Sequence, residues 1–322
     1  MKIDYRRFLP TSIDMNMDAQ RVIPKLAKDE EFTSYVNNQL CNIPSSHSGV
    51  LGDARELSFI GDGDVDLVLT SPPYWTLKKY EDHEAQLGHL TDYNEFNEQL
   101  GKVWEESYRV LKPGGRLVCV VGDVCLSRRQ NSGRHTVVPL HATIQEQCKD
   151  IGFDNLQPII WHKIANAKYE GKGNGAGFLG KPYEPNAVIK NDYEFILLLR
   201  KPGAYRKVEL EKRLLSIISQ KNYQEWFRSI WNGLTGASTR SHPAPFPEEL
   251  AARLIRMFSF VGDTVLDPFW GTGTTSIAAA RLGRNSIGVE ISEAYLEIAK
   301  QRFNKEFNNL LSSIDFEVEK RS

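Results

Sequence analysis

Thr264-Val265-Leu266-Asp267-Pro268-Phe269-Trp270-Gly271-Thr272-Gly273-Thr274-Thr275 reads as a short buried strand, a tight glycine turn and the start of a helix. Gly271 and Gly273 let a ligand approach the backbone where a Cβ would collide. A further strand leads to Gly288-Val289-Glu290, so an acid stands 17 residues beyond Gly273. An acid in that place can accept both hydroxyls of a ribose. The turn has neither the lysine of a phosphate-binding loop nor the third glycine of a dinucleotide fingerprint. A nucleoside without a pyrophosphate fits it better than NAD or ATP.

Outward from this turn, short apolar runs alternate with amphipathic stretches, the pattern of a mostly parallel α/β sheet. Strands are predicted at 66–70, 116–121, 157–162, 193–199, 264–266 and 285–289, and helices at 93–111, 137–151, 248–260, 273–282 and 292–307. The first of those helices carries Phe96, Leu100, Val103, Trp104, Tyr108 and Leu111, mostly three or four apart. Lys112-Pro113-Gly114-Gly115 stops it, and Ser292 is the expected N-cap of the last helix. The first 45 residues are polar and irregular, and read as a helical extension outside the sheet.

Composition narrows the function. The 322 residues hold 40 Lys and Arg against 41 Asp and Glu, so a polyanion must be met by local patches rather than by a whole-protein field. Residues 200–228 are one such patch, with eight basic residues against three Glu; a solvated helix face is the other reading. The segment 166–187, rich in Gly, Lys, Asn and Pro, predicts a long functional loop. Cys41, Cys119, Cys125 and Cys148 are scattered without a CxxC pair, which argues against a zinc site and against a disulfide framework. No metal is expected. The start of the chain has no apolar leader, and no stretch reaches the roughly 18 apolar residues of a membrane span. A cytoplasmic protein with no membrane association is expected.

Thr70-Ser71-Pro72-Pro73-Tyr74-Trp75 leaves the end of a buried strand, where open α/β sheets bind ligands. Two consecutive prolines stiffen the chain and hold Ser71 and Pro72 extended. The Ser71 hydroxyl and Pro72 carbonyl become two acceptors aimed into one pocket, and Tyr74 and Trp75 offer flat faces for a base.

These two motifs together resemble the amino-methyltransferases that methylate exocyclic nitrogens of DNA with S-adenosylmethionine. Their Asp/Asn/Ser-Pro-Pro-aromatic motif stands here as Ser71-Pro72-Pro73-Tyr74, and their glycine loop as the segment from Asp267 to Thr275. The catalytic motif precedes the cofactor loop, an order similar to that of the permuted β class. Segments at 52–57, 111–115, 159–163 and 241–255 extend the resemblance from about Val50 to Phe303. It implies a Rossmann-like, seven-stranded, mostly parallel methyltransferase sheet with one reversed strand, circularly permuted and carrying an inserted DNA target-recognition region. The implied parts are an N-terminal extension (1–48), a catalytic half (49–163), a target-recognition region with its loops (164–240, including the strand at 193–199) and a cofactor-binding half (241–322). S-adenosylmethionine is the implied cofactor. Asp267, Pro268, Phe269, Gly271 and Gly273 would surround its methionine moiety, with Thr274 or Thr275 near the carboxylate. Glu290 would accept the ribose, Ile291 flank the adenine, Asp53 contact the adenine amino group, and Pro247 begin the segment closing the pocket's other side. Trp270 stands at the variable position of the loop and is given no role.

An exocyclic amine is a poor nucleophile because its lone pair is delocalised into the ring. Two acceptors out of the ring plane favour a tetrahedral nitrogen and free that pair. Ser71, Pro72, Pro73 and Tyr74 suit this role on a base flipped from the duplex. Serine at the first position resembles the cytosine-N4 subgroup, and adenine N6 is the main alternative. An RNA or protein methyltransferase and a catalytically silent DNA-binding module also remain. Arg128, Arg129, Arg134, Lys201, Arg206, Lys207, Lys212 and Arg213 are the candidate phosphate contacts. Double-stranded DNA is the implied partner; a homodimer and a cognate restriction endonuclease acting on the same DNA are left open.

Overall fold

The computed structural model describes residues 3–75, 86–129, 131–163, 191–234, 247–307 and 314–320. The expected loop at 166–187 and the stretch 242–246 lie outside these residues. The strands are β1 (Ser45–Leu51), β2 (Val65–Thr70), β3 (Leu111–Val121), β4 (Val124–Leu126), β5 (Thr136–Val138) and β6 (Asp154–Asn155). They continue as β7 (Ile159–His162), β8 (Tyr193–Arg200), β9 (Ile230–Trp231), β10 (Thr264–Asp267), β11 (Asn285–Glu290) and β12 (Ile314–Lys320). Ten of them form one sheet, in the order β12-β1-β11-β10-β2-β3-β8-β7-β9 with β6 on β8, while β4 and β5 pair as a separate ribbon. β8 is antiparallel to β3, β6 and β7, and every other pairing in the large sheet is parallel. One strand is therefore reversed, as expected. The seven expected strands are extended by β12 on one edge, the two-residue β9 on the other, and the short β6.

Helices cover both faces. α1 (Ala19–Leu26) and α2 (Glu30–Gln39) belong to the N-terminal extension. Phe32 and Val36 of α2 pack with Phe8, Ile43 and Val261 in a satellite cluster beside α5 (Leu210–Leu215). The extension ends earlier than expected, because β1 begins at Ser45 between β11 and β12. α3 (Tyr93–Val110) and α4 (Leu140–Ile151) cover one face, placing Phe96, Trp104, Ile144 and Cys148 over Leu117, Cys119 and Leu197. α3 starts on an Asp92 side chain that accepts from the Asn94 and Glu95 N–H groups. α6 (Gln220–Trp226) precedes β9. α7 (Glu248–Phe258) and α8 (Thr274–Arg281) cover the other face, with Leu250, Leu254 and Ala278 over Leu67, Val118 and Ile196. α9 (Glu293–Phe307) runs beside β12, and Ser292 caps it by accepting from Tyr295 N–H at 3.3 Å.

All six residues of β2 are buried, as a central parallel strand covered on both faces requires. Each fully buried Leu or Val there contributes roughly 1.5–3 kcal/mol. β2 lies between β10 and β3, and the chain proceeds in opposite directions from β2 and β10. Their carboxyl ends therefore flank the topological switch point, where an open α/β sheet leaves a crevice. Thr70 ends one strand and Asp267 the other.

Candidate active site

The crevice is a cleft whose wall brings the two sequence motifs together. Ser71 and Pro73 line it from the end of β2; Asp267, Pro268, Phe269, Gly271, Thr274 and Thr275 line it from the glycine loop; Asp53, Glu290 and Ile291 close a third side. Gly271 and Gly273 have φ of 53° and 78°, the left-handed conformation that favours glycine. Gly273 thereby starts α8 and turns the helix N–H groups toward the loop.

Two buried carboxylates organise this wall. Asp267 Oδ1 accepts from the Thr70 hydroxyl at 2.7 Å and from Phe269 N–H at 3.1 Å, while Oδ2 accepts from the Thr275 hydroxyl at 2.6 Å. It ties the residue before Ser71 to the start of α8. Glu290 accepts from Gly271 N–H at 2.7 Å and from Ser292 N–H at 2.9 Å, fixing the glycine turn against the start of α9. Burial pushes Asp267 up to about 6 and Glu290 up to about 7. A ligand bringing positive charge or hydroxyl donors would restore both to the ionised form. Among the described residues, no group of three or more His, Cys, Asp or Glu side chains could hold a metal ion.

The Tyr74 hydroxyl lies 3.4 Å from Ser71 Oγ and donates to the Val120 carbonyl at 3.5 Å. A phenol that donates to Val120 receives the Ser71 proton and leaves the serine lone pairs free to accept. Both contacts are long, as catalytic hydrogen bonds often are before substrate enters. The Tyr74 ring rests on Gly122, where an added Cβ would sit 3.4 Å from it.

Residues 65–301 match the model of the N6/N4 DNA methylase family. The chain belongs to that family. It is 38% identical to the type II methyltransferase M.MjaI of Methanocaldococcus jannaschii, over 86% of this chain and 97% of that one. A DNA modification methylase from Thermus thermophilus, solved in complex with S-adenosyl-L-methionine, is 48% identical with a TM-score of 0.70, covering 86% of this chain and 99% of that one. The cytosine-N4-specific PvuII DNA methyltransferase shares the fold, with 18% identity, a TM-score of 0.56, and 85% and 97% of the two chains covered.

Four predicted site residues of this methylase do not line the cleft. Pro72 is buried behind Ser71, Tyr74 stands beyond it, and Gly273 packs instead against Trp270 and Ala299. Pro247 precedes α7 as its N-cap residue. Asp53 does line the cleft, but its carboxylate is held by the Arg55 guanidinium, with Nε at 2.9 and 3.0 Å from the two oxygens.

Trp270 has a function in the fold that its variable position did not suggest. Its ring fills notches over two strand glycines, where an added Cβ would fall 2.3 Å away at Gly288 and 2.5 Å away at Gly49. Its Nε1 donates to Ser276 Oγ at 2.8 Å. The indole thus anchors the glycine loop to the sheet beneath. Gln86, Leu87 and Tyr295 also line the cleft. Tyr295, three residues past the Ser292 cap, carried a usable signal in helical spacing; Gln86 carried none.

The expected basic face at 200–213 is corrected. The Arg206 guanidinium pairs with buried Asp66, and also with Asp263 at 2.7 Å. Lys201 donates to the Tyr108 and Leu111 carbonyls at 2.7 and 2.8 Å, and Lys212 stands over the Tyr5 ring. Asp66 is the second residue of β2, and Ser71 follows its last. At about 3.3 Å per residue, these cations sit roughly 16 Å away, at the opposite end of the strands. Lys207 and Arg213 share a groove with Arg206 and Phe260 at that same end. Arg128, Arg129 and Arg134 differ: all three are exposed on the segment that follows β3 at the catalytic end.

Proposed function

We propose that this methylase is site-specific and transfers a methyl group to the exocyclic N4 of a cytosine flipped out of duplex DNA, in a restriction–modification or regulatory methylation system. The observation that carries this reading is the single cleft joining Ser71 to a glycine loop anchored by Asp267 and Glu290. The donor set fits S-adenosylmethionine: two buried carboxylates for a cationic ligand with hydroxyls, and positive-φ glycines that let it approach the backbone. Asp267 and Phe269 would face its methionine part, Thr274 or Thr275 its carboxylate, Glu290 the ribose, and Ile291 and Asp53 the adenine. When bound, it supplies an electrophilic methyl on a sulfonium.

The rest is done by this chain's own residues. Ser71 Oγ and the Pro72 carbonyl accept the two amino hydrogens and draw the nitrogen toward tetrahedral geometry. Its lone pair then forms the new N–C bond in line as the S–C bond breaks, and one proton leaves the nitrogen for solvent. Tyr74 orients the Ser71 hydroxyl and stacks on the base. Catalysis is positioning and electrostatics. Arg128, Arg129 and Arg134 meet DNA phosphates.

Single-turnover transfer with saturating cofactor tests the site. Ser71→Ala removes one of two preorganised acceptors, so the rate of transfer should fall by roughly 10²–10³, with cofactor affinity unchanged. Wild-type chemistry in that variant would remove Ser71 from the mechanism.

A further inference from the structure

The β4–β5 ribbon is the least explained part of the catalytic end. Its strands pair antiparallel at Val124↔Val138, Cys125↔Val137 and Leu126↔Thr136, apart from the main sheet. Its root is braced beside the base pocket. Gly122 supports the Tyr74 ring, and Asp123 Oδ1 lies 2.6 Å from His141 Nδ1 at the start of α4. The His141 ring stacks on Phe195 at 3.8 Å and 16°. Val124, Leu126 and Val138 pack onto the core.

The tip is ordered as well. Gly133 N–H donates to the Arg128 carbonyl at 2.8 Å and Arg134 N–H to the Asn131 carbonyl at 2.9 Å. Asn131 Nδ2 donates to Thr136 Oγ1 at 2.7 Å. In a chain with near-equal acids and bases, residues 124–138 hold three arginines and no carboxylate. Arg129, Arg134 and His135 are exposed, and Val137 beside them is 52% exposed. No acidic partner among the described residues pairs with Arg129 or Arg134. An exposed apolar residue within a basic ribbon has no use in folding, but fits a surface that offers phosphates and base edges together.

Resting on the DNA-methylation reading, we propose that the β4–β5 ribbon enters the major groove of the duplex beside the flipped base. The major groove, roughly 12 Å wide, admits a two-stranded ribbon; the minor groove, roughly 6 Å, does not. The arginines would grip phosphates at the groove walls, and Val137 would meet base edges, such as a thymine methyl. The ribbon leaves the sheet at Gly122, against Tyr74, so a groove seated on it presents its bases to the stacking ring.

Dimethyl sulfate probing of a duplex carrying the mapped methylation site separates the grooves, since it modifies guanine N7 in the major groove and adenine N3 in the minor. Wild-type protein should protect guanine N7 next to the target, and replacing 128–134 with an Asn-Gly turn should abolish that protection while leaving cofactor affinity intact. Arg129→Ala with Arg134→Ala, which leaves the ribbon in place, should lower the log-log salt slope of duplex binding by about two. Unchanged guanine protection in the shortened variant, protection at adenine N3 instead, or coincident salt slopes would each overturn the ribbon's role while methylation by wild type stands. A wild-type protein that methylates no duplex removes the DNA reading and the ribbon's role with it.

Discussion

Thr70→Val probes the link between the two halves of the site. The change is nearly isosteric and removes one hydroxyl, which donates to Asp267 Oδ1 at 2.7 Å. Thr70 and Asp267 are 1% and 6% exposed, so water cannot replace the lost donor. A hydrogen bond to a charged acceptor contributes about 1.5–3 kcal/mol, and the folded protein should lose that much. Asp267 also loses one of the donors that oppose its desolvation, so its carboxyl should move still higher and its ionised form become scarcer near neutrality. Cofactor affinity should therefore fall several-fold at pH 6.5 and recover at pH 8. Urea denaturation and calorimetry at both pH values measure the two effects, with Thr70→Ser as the control that keeps the hydroxyl. A valine variant with the wild-type urea midpoint and pH profile would show that this bond does not join β2 to the glycine loop.

The same structure makes further predictions. Gly288→Ala should destabilise strongly, because its Cβ would fall 2.3 Å from the Trp270 ring; Trp270→Ala should by itself cost about 3–5 kcal/mol. Combined, the two should cost less than their sum, and additive urea data would contradict the notch. Asp267 and Glu290 are raised from ordinary values of 3.8 and 4.5 to about 6 and about 7, so the folded protein holds protons that the unfolded chain has already released. Stability of the cofactor-free protein should then fall as pH rises from about 4 to 7 and level off above that. Cofactor binding should release protons near pH 6.5, and calorimetry in buffers of different ionisation enthalpy showing none would refute it. Tyr74→Ala should weaken capture of the flipped base by about 1–3 kcal/mol; equal affinity for a duplex with a mismatched target base would remove its stacking role.

What the sequence disclosed followed the range of its interactions. The glycine loop, Ser71-Pro72-Pro73 and the helix over 93–110 are set by neighbours within a few residues, and all stand where the pattern put them. β1 was missed because its partners β11 and β12 lie over 230 residues away, and Ser45 to Leu51 are too small and polar to read as a sheet centre. The two glycines that make that region look loop-like are the notches for Trp270. Arg206 was miscast for a related reason: counting local charge could not reveal Asp66, 140 residues earlier in the chain. β4 and β5, three residues each, are too short for alternation to show.

The most direct measurement digests DNA to nucleosides after incubation with the purified protein and methyl-labelled S-adenosylmethionine, and locates the label by mass spectrometry. The account predicts label in N4-methylcytosine and none in the Ser71→Ala sample. Label in N6-methyladenine would contradict the choice of base, and label in 5-methylcytosine, or in no nucleoside, would contradict amino-group transfer itself.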